Sequence, residues 1–195
     1  MEWTNEDKQH LLSFKDVVDC DDIIMKERIK KVLLDNKYII HVLDNKELEK
    51  VDAEADDYFG INILPYYMVT PTQHNVKNYI CYEVSYDKTY ESKTHKRLRI
   101  VFNVICEQKD IIEKETGIAR HDLLAALIQD AFNYTNYLGY KAVLVSDTAS
   151  SIDNDFASRI LVFEQYTDNN LVKTKDGVSI LANKELHTLG EKAEA

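Results

Sequence analysis

Two groups of residues in this chain have types and spacings suited to chemistry. The first is Asp87 followed, across a strand-like run, by Glu107-Gln108-Lys109. Two carboxylates can hold a Mg²⁺ ion, and a nearby lysine can position the water that attacks a phosphodiester. The second is the triplet Arg120-His121-Asp122 at the head of "RHDLLAALIQDAFN". A histidine beside an aspartate is half of a nucleophilic triad, but no Ser or Cys stands nearby to serve as nucleophile. Asp122 also suits the first turn of a helix, where a negative charge meets the positive end of the helix dipole.

The elements that must position these residues follow from periodicity. Leu123, Leu124, Leu127, Ile128, Ala131 and Phe132 fall on one face of a helix at 3.6 residues per turn, with Asp122, Gln129 and Asn133 opposite and His121 at the flank. The triplet therefore reads as the entry of a core helix rather than an active site. Upstream, "YICYEVSY" places Ile80, Tyr82, Val84 and Tyr86 on one face. "LRIVFNVICE" does the same for Leu98, Ile100, Phe102, Val104 and Cys106. Alternation of this kind predicts two half-buried antiparallel strands joined by a polar loop over 87–96. "KAVLVS" and "ASRILVFEQY" predict a second pair around the loop "DTASSIDND".

Before the strands, residues 21–43 predict a helix with one buried stripe, a break near Asp35-Asn36 and a second short helix at 38–43. The acidic run "DNKELEKVDAEADDYFG" reads as a solvated connection. Pro65 and Pro71 keep the next segment extended and off a central strand. The order is helix-strand-strand-helix-strand-strand, which indicates an α+β domain with a mostly antiparallel β-sheet and packed helices. Residues 1–20 form an N-terminal arm, 21–166 the domain, and 167–195 a C-terminal extension in which "GVSILA" can add one short strand.

Composition narrows the functions. Lys and Arg total 24 against 34 Asp and Glu, a formal charge of −10 that opposes tight, sequence-independent DNA binding. The one basic cluster, "KTHKRLR" at 93–99, is short and reads as a hairpin end. Cys20, Cys81 and Cys106 lie far apart with no C-x-x-C pair, and His10, His41, His74, His95 and His187 make no H-x-x-x-H pair. Neither a disulfide framework nor a metal site is expected, and no cofactor is expected. No apolar run nears the roughly 20 residues that span a bilayer, and the start "MEWTNEDKQH" carries no signal-peptide pattern. Twelve tyrosines are many for a chain of 195 residues, and tyrosine suits half-buried strands and interfaces.

Two resemblances sharpen these expectations. The Asp87, Glu107, Lys109 set is similar to that of metal-dependent nucleases of the restriction-enzyme type, although no proline precedes Asp87. Over a longer span, "DDYFGINILPYYMVTPTQHNVKNYICYEV", "LRIVFNVICEQKDI" and "TGIARHDLLAALIQDAFN" resemble small tail-terminator (tail-completion) or neck proteins of tailed phages of Gram-positive bacteria. This second resemblance covers about 21–166. It implies a ring-forming, usually hexameric virion subunit, assembled in the host cytoplasm, that caps the tail tube and meets the head-tail connector or stopper. DNA passes its lumen, and the family has no catalytic residues. A cellular adaptor or inhibitor domain is the plainer alternative. The interface candidates are Asn62, Ile63, Leu64, Pro65, Tyr66 and Tyr67, in a segment rich in aromatic and aliphatic groups, with Arg120 and His121.

Overall fold

The computed structural model describes residues 4–13, 21–67, 78–86, 95–151, 155–168, 171–173 and 179–181. Helices α1 (Asn5–Ser13), α2 (Asp21–Leu34), α3 (Lys37–Leu43), α4 (Lys46–Lys50) and α5 (Arg120–Phe132) accompany strands β1 (Ile63–Leu64), β2 (Asn78–Tyr86), β3 (His95–Glu107), β4 (Ala142–Ser151) and β5 (Phe156–Asp168). The five strands form one sheet in the order β1-β2-β3-β5-β4. All neighbours are antiparallel except β1, which pairs with β2 in parallel. The α+β class expected from the sequence is the observed one. A separate hairpin follows, β6 (Leu171–Lys173) with β7 (Ser179–Leu181); β7 lies within "GVSILA", while β6 was not anticipated.

The core lies between one face of the sheet and the helices. Leu98, Ile100, Phe102, Val104 and Cys106 on β3 are fully buried, as their alternation requires. Phe102 lies tilted at 5.1 Å from Phe132 of α5 and edge-on at 5.7 Å from Phe163 of β5, linking helix and sheet through one aromatic cluster. Ile29 and Leu33 of α2 and Ile39 and Leu43 of α3 complete the layer. The break between α2 and α3 is real. The Asn36 side chain accepts from the Tyr38 and Ile39 N–H groups, an N-cap that starts a new helix.

Three expectations need correction. The acidic run is not a loop throughout: it folds into α4, capped by Asn45, and a 3₁₀ turn at Ala55–Tyr58 that buries Tyr58. "DTASSIDND" is not wholly a loop either, because β4 runs to Ser151 with Thr148 opposite Ile160 and Ser150 opposite Ser158. Its polar residues suit a strand at the sheet edge, where one side meets water. Strand β2 is not simply half-buried, since Tyr79 and Cys81 are as buried as Ile80 and Tyr82 and join Leu64 and Ile105 in a second small core on the opposite face. The loop expected over 87–96 and Pro71 fall mostly or wholly outside the described residues.

Candidate functional site

The Arg120-His121-Asp122 triplet is consumed by the fold. Arg120 shares a row with Leu124, Ile128 and Phe132 at four-residue spacing, so its side chain enters the core and is only 4% exposed. The guanidinium donates to the Val42 and Asp110 carbonyls and to the Asp44 carboxylate, each at 3.0 Å. Val42 and Asp44 lie at the C-terminus of α3, where Asp44 takes a left-handed conformation (φ 49°). A helix end leaves carbonyls without intrahelical partners, and a buried cation there satisfies them. Asp122 pairs with Arg159 of β5, which also holds Asp147 of β4 through two bonds of 2.7 and 3.1 Å. His121 lies 3.4 Å from Asp122 through Nε2, and its buried Nδ1 has no partner among the described residues. Helix α5 is thereby bolted to α3 on one side and to β4–β5 on the other.

The loop before α5 is held the same way. Glu113, 5% exposed, accepts from the Glu115 and Thr116 N–H groups and from the Thr116 hydroxyl. These bonds favour the carboxylate and pull its pKa down to about 2. Gly117, at φ 70°, closes the turn in a conformation that glycine adopts without strain, and its N–H returns to the Glu113 carbonyl.

The interface nominated from the sequence splits in two. Asn62, Ile63 and Leu64 are 1%, 0% and 3% exposed within the chain's own core, so they are corrected from contact residues to structural ones. Asn62 accepts from Asn45 (2.7 Å) and donates to the Asn78 carbonyl (2.8 Å), while Asn78 donates to the Leu43 carbonyl (2.9 Å). This buried asparagine chain ties α3 and α4 to β1 and β2. Arg120 leaves the interface for the same reason, and His121 is mostly covered at 16% exposure. Pro65 ends β1 and gives its carbonyl to Lys26 of α2 at 2.9 Å. Only Tyr66 and Tyr67 present large surface, 52% and 44% exposed. Burial raises the Tyr67 phenol to about 12, with the nearby Glu83 carboxylate adding to it.

The metal set is not assembled by the described residues. Glu107 ends β3 and Lys109 lies exposed in a 3₁₀ turn at Gln108–Asp110, whereas Asp87 is outside the described residues. No three His, Cys, Asp or Glu side chains converge as a metal site among the described residues. Cys106 is a buried hydrophobe whose thiol burial pushes up to about 12, far from a reactive thiolate.

The surface instead carries two groups of exposed tyrosines at opposite edges of the sheet. Tyr66 and Tyr67 flank the β1–β2 edge. Tyr134, Tyr137 and Tyr140 line the loop into β4 and are 62%, 66% and 42% exposed. A bulge between Leu144 and Ser146 leaves Val145 half exposed on the same outer strand. Beside Tyr137, the second half of α5 and the junction of α2 with α3 enclose an open groove of about 820 Å³, with Tyr38 on its other rim. Sequence reasoning passed over "NYTNYLGYK" at 133–141, although three tyrosines at three-residue spacing were the available signal.

These features define an α+β protein whose polar clusters hold its own elements together and whose two sheet edges both carry exposed tyrosines. Residues 27–165 match the YomW family, and the chain belongs to that phage-derived (Bacillus phage SPbeta-like) family. A search of curated proteins found no match. Among the described residues no helix is long and apolar enough to cross a membrane.

Proposed function

We propose that this chain is a structural virion protein that caps the phage tail tube as an oligomeric ring, stops tube polymerisation and forms the surface on which head and tail join. The observation that carries this reading is the placement of exposed tyrosines at both edges of one sheet, Tyr66 and Tyr67 at β1–β2 and Tyr134, Tyr137 and Tyr140 at β4. Two different sticky surfaces on opposite sides of a subunit favour head-to-tail contacts, and such contacts close into rings when the rotation permits. Tyrosine is enriched at the centres of such interfaces. The bulge in β4 interrupts a flat edge that would otherwise invite open-ended strand addition, so side-chain contacts set the geometry.

Membership of a phage-derived family supports the virion setting. The charge of −10 supports a lumen that DNA crosses without sticking. The direct test is to add the purified chain to polymerising tail tubes and measure tube length and tube ends by electron microscopy. Shortened tubes bearing a terminal ring are expected. Tubes that grow unchanged in the presence of excess chain would overturn the proposal, and rings that bind a connector but ignore tubes would move the protein to the neck. Tight duplex binding at physiological salt would sink the lumen argument.

A further inference from the structure

Strand β4 closes one edge of the sheet, and its two halves treat that edge differently. In an antiparallel ladder, residues alternate between turning both backbone groups toward the neighbouring strand and turning both away. Over the first half of β4 the chain itself takes up the outward groups. The Tyr134 N–H donates to the Ala142 carbonyl at 2.8 Å, and the Ala142 N–H donates to the Thr135 carbonyl at 3.4 Å. The Leu144 N–H donates to the Asn133 side-chain oxygen at 2.9 Å. A bulge follows between Leu144 and Ser146.

Beyond the bulge the outward groups can be assigned from β5. Leu144 turns away from its partner Phe163, so Phe163 and every second residue before it, Leu161, Arg159 and Ala157, turn away from β4. Their partners Asp147, Ala149 and Ser151 therefore point their N–H and C=O groups out of the sheet. On the far side of the sheet, the bond from the Ile80 N–H to the Asn62 carbonyl has the parity that this assignment requires. The six outward groups have no partner among the described residues, and residues 145–151 are all exposed. Folded proteins blunt such edges with lysine, proline, a bulge or a covering loop. This chain uses a loop and a bulge as far as Ser146 and nothing after it. The open stretch "SDTASS" holds one charge, Asp147, which Arg159 already pairs.

An edge of outward N–H and C=O groups fits an extended backbone. We infer that β4 pairs antiparallel with β4 of a second copy of this chain, across a two-fold axis at Ala149. In that register Asp147 faces Ser151 of the second copy, Ala149 faces Ala149, and all six outward groups of each copy are satisfied. Thr148 faces Ser150 of the second copy, a hydroxyl pair of a kind that stabilises antiparallel strands. The small Ala149 side chains leave room on the axis. The two Asp147 carboxylates stand about 14 Å apart along the strands, beyond the Debye length of about 8 Å at physiological salt. A slide of two residues toward the bulge brings them to about 7 Å and leaves Ser151 without a partner. No other register matches all three outward residues in both copies.

This contact is separate from the head-to-tail one and uses a different part of the edge. Ala142 lies seven residues, about 23 Å, from the axis, so the tyrosines of the loop into β4 stay clear of it. A two-fold pair also closes on itself and invites no further strand.

Sedimentation velocity on the full chain tests the pairing in a Tyr137→Ser, Tyr140→Ser background, which removes the head-to-tail tyrosines. That chain is expected to be dimeric. The Ala149 N–H lies outside the β4–β5 ladder, where an edge strand tolerates proline. Ala149→Pro is therefore expected to weaken the dimer at least tenfold, with circular dichroism and the unfolding midpoint close to those of the background chain. Ser151→Asp sets a second carboxylate against Asp147 and is expected to weaken the dimer, whereas Ser151→Lys is expected to tighten it. Each effect is about threefold or more, because the pair occurs twice. If Ala149→Pro fails to fold, the opposite signs of the two Ser151 variants decide. Both Ser151 variants shifting the dimer in the same direction, or a folded Ala149→Pro chain that dimerises unchanged, would overturn the inference. So would a background chain that is monomeric at all concentrations; rings formed by the parent would then leave the head-to-tail reading standing. Strand-paired dimers in a parent that never forms rings would support the inference and remove the ring.

Discussion

Helix α5 begins among polar groups that are almost all paired and ends beside tyrosines that face solvent. At its start, Arg120 is 4% exposed and spends its donors on the end of α3 and on Asp110. Just past its end, Tyr134 and Tyr137 are more than 60% exposed. The difference separates two kinds of conspicuous residue. A charged group buried with partners holds the fold, and its loss leaves other groups unsatisfied. An aromatic group left in water gains little from the fold and is available to a partner. The same contrast divides the segment Asn62–Tyr67, whose first three residues are core and whose last two are surface.

Several substitutions can break or sharpen this contrast. Arg120→Ala carries the largest expected effect, about 3–5 kcal/mol in urea unfolding, because it takes a buried donor from the Val42 and Asp110 carbonyls and leaves Asp44 only its pairing with Lys46. A loss below about 1 kcal/mol would mean that the clamp is not structural. Next, Asn62→Ala removes one acceptor and one donor from the buried asparagine chain, and a loss of about 1–3 kcal/mol is expected in the same assay.

A smaller effect is present at neutral pH and fades in acid. Glu113 titrates at about 2 in the folded chain, below its ordinary 4.5. Its contribution is thus fully present above about pH 4.5 and is lost as pH falls toward 2. Asp147, lowered by Arg159, adds in the same direction. Glu113→Gln should therefore lower stability at neutral pH and flatten the slope between pH 4.5 and 2; an unchanged slope would contradict the turn described here. The smallest effect on folding belongs to Tyr137→Ser with Tyr140→Ser, within about 0.5 kcal/mol of the parent, as for exposed substitutions generally. The pair is expected to weaken assembly while leaving the unfolding midpoint in place.

Much of the scaffold was legible because its signal is local. The alternation in β3 and the apolar row of α5 follow from where successive side chains must point. The placement of β5 beside β3 was not legible, since that pairing joins strands separated by the whole of α5 and β4. The polar second half of β4 and helix α4 were not legible, because polar edge strands and short charged helices look like loops; their order comes from pairing with β5 and from the Asn45 cap. Arg120 reads as an interface candidate at the helix entry, although its four-residue spacing to Leu124, Ile128 and Phe132 points inward. Ile63 and Leu64 read as sticky surface in the sequence, because apolar residues beside a proline look alike whether they are core or interface.

The central claim is that the tyrosines at the two sheet edges join one copy to the next. Native mass spectrometry of the intact chain, of Tyr66→Ser with Tyr67→Ser, and of Tyr137→Ser with Tyr140→Ser tests it most directly. The account predicts a closed ring of identical subunits for the parent and smaller species for either pair. A parent that remains monomeric both alone and with tail tubes, or variants that form the same rings as the parent, would contradict it.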